Sequence, residues 1–400
     1  MVHTALPFAT VAWESPLWRA ATVVVGLGLL WAAIMAAVGV MLVPRPTSQK
    51  LALWVSRACH FIFRVIARRA RNYTQLDRYL AVQGPTTVLL YLAAFLAIFV
   101  AAFSFLFYGV TGCSPPEAFY RAGSSMSTLG VMSASNFDVL AVMFVAAFTG
   151  TTVISVFIGF LLTLYSAYTE RESYMSKVAL VCGEPAWGPE MVVRLHKLQA
   201  PPHSGEWGDC IDWICALRVS HYIYPLLNHF RSPVRDRHWV VTLLAVLDAA
   251  AIRVAALEGK IDPESARILA QGAATFHALK SSEASQTEDI EPETAIVAWL
   301  IEQDIKAPVP GETPPECGVT RAEWDQAMNF MVSAGITLLP DRDASWRAFC
   351  QIRSHYFETA YALACHLSAV NAPWSGSRHP AFDFPQAWPA RAQQKFGSGA

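Results

Sequence analysis

PPEAFYRAGSSMSTLGVMSASN, residues 115–136, decides how this chain is read, because it lies between two long apolar runs and cannot itself be an ordinary spanning helix. Pro115 and Pro116 suit the first turn of a helix, where a missing N–H costs nothing. About three turns later Ser127-Thr128-Leu129-Gly130-Val131-Met132 ends that helix and offers a row of backbone carbonyls. Irregular backbone at membrane depth is tolerated only where it is buried in protein or lines a watery path. The stretch therefore predicts a short re-entrant helix and a loop that borders a polar path.

The surroundings support a membrane setting. With 54% hydrophobic and only 15% charged residues and a mean hydropathy of +0.33, the chain is too apolar for an ordinary soluble enzyme. Its net charge of −1 excludes the basic field that nucleic-acid binding requires. Ala20 to Val43 is uncharged for 24 residues, enough to cross a hydrocarbon core about 30 Å thick. Residues 1–17 carry no Lys or Arg, so this run reads as an uncleaved anchor rather than a signal peptide. Gly28, Ala32 and Ala36 recur every fourth place along it. That is either a ridge for close helix packing or plain alanine-rich membrane composition.

No charge occurs between Arg78 and Glu117, which places a second span at roughly Thr86 to Val110. Tyr91, Phe95, Phe99, Phe103 and Phe107 form one stripe on it, expected to pack against lipid or neighbouring helices. A third span starts after Asp138 and exits at Glu170-Arg171-Glu172. Gly150 interrupts it, as a hinge or as a point of close packing. The connector at 45–84 carries Arg57, Arg64, Arg68, Arg69, Arg71 and Arg78 against the single acid Asp77, so it is expected on the cytoplasmic side. Apolar residues alternate with its arginines, as in a helix lying on a membrane surface; the arginines either grip anionic lipid or only set orientation.

At these residues the chain resembles the pore module of tetrameric potassium channels, and its His221-Tyr222-Ile223-Tyr224-Pro225, Phe230-Arg231-Ser232 and Leu247-Asp248 look like the tail of bacterial members with an extra N-terminal helix and a helical tail. Aligned without gaps, the family's Thr-Val-Gly-Tyr-Gly filter falls on Thr128, Leu129, Gly130, Val131 and Met132. Val131 and Met132 depart from that pattern. The resemblance implies that Thr128, Leu129, Gly130 and Val131 supply ion-binding oxygens, that Ser124 and Met132 support the filter, and that Gly150 is the gating hinge. It further implies a homotetramer, since one loop supplies a quarter of a ring, and potassium or another monovalent cation as permeant ion.

The fold expected is an all-α membrane protein with three transmembrane helices, a re-entrant helix and filter loop, and a cytoplasmic helical bundle. Its parts are an N-terminal helix at 1–44, the connector at 45–84, a pore module at 85–170, a helical domain at 171–374 and a frayed tail at 375–400. The N-terminus lies outside and the tail domain in the cytoplasm, at the inner or plasma membrane. In the helical domain Ser232-Pro233 predicts a helix start running towards Glu258, Asp262-Pro263 another, Thr320 with Glu323 a capping box, and Ser345 to Ala369 one last long helix. Ser281 to Glu291 and Ala307 to Gly318 read as linkers. Trp239 to Ala256 is apolar enough to imitate a fourth span, but Asp248 and Arg253 favour a buried bundle helix.

Eight cysteines are scattered with no zinc spacing, so neither a metal site nor a cofactor is expected. Walker, His-Glu-x-x-His and Gly-x-Ser-x-Gly signatures are absent, which argues against an enzyme. A Gly-x-Gly-x-x-Gly nucleotide site and a repeated-arginine voltage sensor are absent as well. The functional expectation is passive cation conduction. The alternative is a non-conducting signalling or scaffold protein derived from a channel pore, with the tail binding an unidentified ligand or protein.

Overall fold

A computed structural model describes residues 15–41, 50–131, 133, 136–198, 205–257, 263–284 and 314–377. Met132, most of residues 1–17, both expected linkers in large part and all but the start of the expected tail lie outside the described residues. Among those described, the chain is helical, and its one β pairing is an isolated bridge between Leu257 and Leu338. The helices are α1 (Pro16–Met41), α2 (Lys50–Ala67), α3 (Tyr73–Ala81), α4 (Gln83–Thr111), α5 (Pro115–Met126), α6 (Phe137–Cys182) and α7 (Gly188–Lys197). They continue as α8 (Gly205–Ile223), a 3-10 turn (Pro225–His229), α9 (Trp239–Ala256), α10 (Pro263–Ala284), α11 (Arg321–Ser333), α12 (Arg342–Ser354) and α13 (Phe357–His366).

Among the described residues, four stretches are long and apolar enough to cross a membrane: α1, Tyr73–Thr111, α6 and α9. They differ in what surrounds them. The apolar window of α1 is 11% buried and that of α6 22%, whereas 89% of α9 is enclosed by protein.

The chain forms two compact units. The first comprises residues up to Phe61 together with Pro85–Tyr165. Its core is the aromatic stripe of α4: Phe99, Phe103 and Phe107 are fully buried against Ala118, Ala122 and Met126 of α5 and Val139, Ala146 and Val153 of α6. Small residues on α1 make the other contact, though not those the every-fourth pattern suggested. Gly28 has nothing near it and Ala32 is exposed. Instead Thr22, Gly26 and Ala33 are buried, and a side chain at Gly26 would meet Leu106 and the Ala102 carbonyl of α4. Spacing alone does not say which side of an all-apolar helix turns inward.

The second unit comprises Ile62–Gly84 and everything from Ser166. The end of the basic connector thus belongs to it: Tyr73, Leu76 and Leu80 of α3 join its core, and Asp77 pairs with Arg231 at 2.9 Å. At its centre α9 packs against α7, α10, α12 and α13. The two charges on α9 are accommodated differently. Asp248 takes bonds from Arg353 and from the Tyr356 hydroxyl, while the Arg253 guanidinium lies 4.4 Å from the Trp207 ring centre.

Two expected helices are corrected. The one assigned to Ser232-Pro233 starts at Trp239, where the His238 side chain accepts from the Val240 amide; the Ser232 hydroxyl is taken up by Glu172 at 2.7 Å. The last long helix is two helices, α12 and α13, broken at His355 and Tyr356 so that the Tyr356 hydroxyl reaches Asp248 at 2.9 Å. The capping box at Thr320 and Glu323 forms in full.

Candidate functional site: the loop after α5

The site is built by α5, the loop that follows it and the face of α6 beneath it. Pro115 and Pro116 open α5, and Glu117 with Arg121 one turn on forms an ion pair at 2.8 Å along it. The helix closes in a Schellman arrangement: the Thr128 N–H donates to the Ser125 carbonyl at 3.1 Å and the Leu129 N–H to the Ser124 carbonyl at 3.0 Å. Glycine normally occupies the left-handed position of that motif. Here it is Thr128, with φ of +57°, a conformation that costs a β-branched residue about 1–2 kcal/mol.

Beyond the cap, Gly130 is again left-handed at φ +64°, while Ser127 stands at −82° and Leu129 is not among the positive-φ residues. The Val131 N–H then donates to the Ser124 hydroxyl at 3.1 Å. The amides of residues 127, 128, 129 and 131 are thus all taken up by α5. Because each peptide is planar and trans, its carbonyl points away from its own N–H. The carbonyls of Met126, Ser127, Thr128 and Gly130 are therefore directed away from the groups that hold those amides.

The Met126 carbonyl rests on α6 at Gly150. A Cβ there would stand 2.2 Å from that oxygen, so Gly150 is a point of close approach. The other three carbonyls belong to exposed residues; Leu129 is 70% and Val131 60% accessible. These oxygens stand at the carbonyl end of α5, where the partial charge is negative and the last turn carries no basic residue. The arrangement is a set of outward carbonyls in which every loop amide except that of Gly130 is taken up by α5, which suits a cation better than an anion.

Of the residues singled out in the sequence, the structure brings together Thr128, Leu129, Gly130 and Val131 on the loop, Ser124 behind it and Gly150 beneath the end of α5. Met132 lies outside the described residues. Ser127, the first residue of the stretch whose carbonyls the sequence pointed to, adds its carbonyl to the set; sequence reading overlooked Arg19. Arg19 of α1 donates from Nε to the Gly109 carbonyl at 3.0 Å and from Nη2 to the Val110 carbonyl at 2.6 Å. It thereby satisfies the last carbonyls of α4, just before the turn into α5. Its signal in the sequence was a lone cation at the edge of an uncharged run.

Four hydroxyls on α6 turn back onto the helix. Thr149, Thr151, Ser155 and Thr163 donate to the carbonyls four residues earlier, at 2.7–3.0 Å. On the connector Arg57, Arg64, Arg68, Arg69 and Arg71 are exposed, as are Trp54, Phe61, Ile62 and Val65 of the same helix. Among the described residues no group of three or more His, Cys, Asp or Glu side chains is placed to hold a metal. No protein-family model, no curated protein and no solved structure matches the chain.

Proposed function

We propose that the chain is a subunit of a cation channel of the potassium-channel type, in which several copies turn their 127–131 loops to a common axis. One observation carries this reading: a short helix ends in a loop whose amides, that of Gly130 apart, are held from behind and whose carbonyls of Ser127, Thr128 and Gly130 are turned outward, where they could face an ion. The strained left-handed Thr128 supports it, since such backbone is kept where surrounding structure and function demand it. In this reading α1, α4 and α6 span the membrane, α5 enters and returns, and α9 stays inside the helical bundle that encloses it. Potassium or another monovalent ion passes, and four copies complete the ring.

Ser124 braces the loop through Val131. Gly150 fixes the depth at which α5 seats on α6. Anionic lipid faces the connector arginines, with the bundle on the cytoplasmic side of the plasma membrane.

The test is ion uptake by liposomes containing the purified chain. Rubidium should enter down a potassium gradient, and Gly130→Leu, which forces a bulky residue into φ +64°, should abolish uptake. Uptake equal to that of the native chain would remove the assignment. Intact oligomers with no flux at all would favour the scaffold.

A further inference from the structure

Cys317 and Cys350 lie 33 residues apart in sequence, yet their sulfur atoms are 3.0 Å apart, hydrogen-bonded and shut away from solvent. Cys350 is on α12. Cys317 lies in the irregular segment ahead of α11, and two groups fix that segment: the Arg353 guanidinium donates to the Cys317 carbonyl, and the Tyr361 hydroxyl donates to the Gly318 carbonyl at 2.8 Å. Arg353 is the residue that pairs with Asp248 of α9 and also donates to the Trp374 carbonyl. The two thiols therefore touch at the joint where α9, α12, the segment at 314–320 and Trp374 meet.

We propose that Cys317 and Cys350 are a redox-active dithiol, oxidised reversibly to a disulfide by small-molecule disulfides. The hydrogen bond from Cys350 lowers the Cys317 pKa against the opposing effect of burial, with the nearby Arg353 charge assisting, and Cys350 is raised. Cys317 is thus the attacking thiolate and Cys350 the resolving thiol. In the first step the Cys317 sulfur bonds to one sulfur of the oxidant, whose S–S bond breaks to release one thiolate. Cys350 then loses its proton and its sulfur attacks Cys317, displacing the second thiolate. The pair gives up two electrons, and the oxidant is reduced to two thiols.

Both sulfurs are buried, so exchange waits on local opening of the 314–320 segment. Cys317 rides on that segment, so its return brings the two sulfurs back side by side for the second step. In the cytoplasmic placement proposed above, such a bridge would be regulatory rather than permanent. The inference does not depend on whether the chain conducts.

The experiment uses the full-length chain in detergent, reduced and then exposed to oxidised glutathione. Remaining thiols are counted by alkylation in denaturant and located by peptide mass spectrometry. The expected result is the loss of two of the eight thiols, a cross-linked peptide pair containing Cys317 and Cys350, recovery on reduction, and a raised thermal midpoint in the oxidised form. Cys350→Ala should instead accumulate glutathione on Cys317. Because that variant removes a buried side chain, its fold is checked by circular dichroism, and the native chain's cross-link map stands independently of it. The proposal is overturned if Cys317 and Cys350 both remain alkylatable while the exposed Cys365 takes up glutathione.

Discussion

Replacing Gly150 by alanine is the sharpest perturbation the geometry offers. The added Cβ would stand 2.2 Å from the Met126 oxygen, 3.0 Å from its carbonyl carbon and 3.1 Å from its Cα, all backbone atoms. Restoring ordinary contact at 3.4 Å requires a shift of about 1.2 Å in the last turn of α5. Overpacking of this kind costs about 1–3 kcal/mol, against which alanine recovers up to about 1 kcal/mol of helix propensity. The net destabilisation therefore lies between about zero and about 3 kcal/mol.

The larger effect is positional. Met126 is followed directly by the cap at Ser127 and Thr128, so its displacement carries the outward carbonyls with it. Gly159→Ala is the matched control, since nothing lies within 4 Å of that position on the same helix. Rubidium uptake by liposomes should fall at least tenfold for Gly150→Ala and stay at the native level for Gly159→Ala, with both variants eluting from size exclusion where the native chain does. Equal uptake by the two would refute the seating of α5 on Gly150 and the dependence of the loop upon it.

Ser124→Ala removes the bond to the Val131 amide and should lower stability by about 0.5–1.5 kcal/mol; flux measured in potassium against sodium should show selectivity falling, whereas Ser124→Thr keeps the hydroxyl. Arg353→Met leaves the Asp248 carboxylate buried without its cation, an expected loss of about 3–5 kcal/mol that Asp248→Asn in the same chain should partly restore in denaturant melts. Acid should weaken the helical bundle through the buried His221 and the half-buried His355. Burial and the Arg171 charge hold His221 well below the ordinary imidazole pKa, and burial and His277 lower His355. Below about pH 6.5 the unfolded chain takes up protons that the folded chain refuses. Stability is thus full above that pH and lost as pH falls towards the lower folded values. The thermal midpoint should drop between pH 7.5 and 5.5; a rise would contradict the assignment.

Much of the fold was legible because it depends on local physics. Uncharged runs long enough to span, a Pro-Pro start and a Thr-x-x-Glu box each act within a few residues, and α1, α4, α5 and the start of α11 stand where those signals put them. What stayed hidden depends on distant partners. Asp248 meets Arg353 across 105 residues, and nothing in its neighbourhood names that cation. Ser232 was drawn to Glu172 and Tyr356 to Asp248, so one expected helix starts later and another breaks in two.

In the candidate site, Thr128 and Gly130 were recognisable by residue type. The contact of Gly150 with the Met126 carbonyl was not, because a glycine suits a hinge and a close approach equally well until the neighbouring backbone is in place. The contact face of α1 was hidden for a related reason. Several spacings of small residues coexist on that helix, and only the presence of Leu106 and Ala102 selects Gly26.

The most direct test of the cation site is a structure of the full-length chain in lipid or detergent with rubidium or thallium replacing potassium. The account predicts four copies around one axis, with heavy-atom density on it at coordination distance from the Thr128 and Gly130 carbonyls. A monomer, or an assembly whose 127–131 loops face away from the axis with no ion beside them, would contradict it.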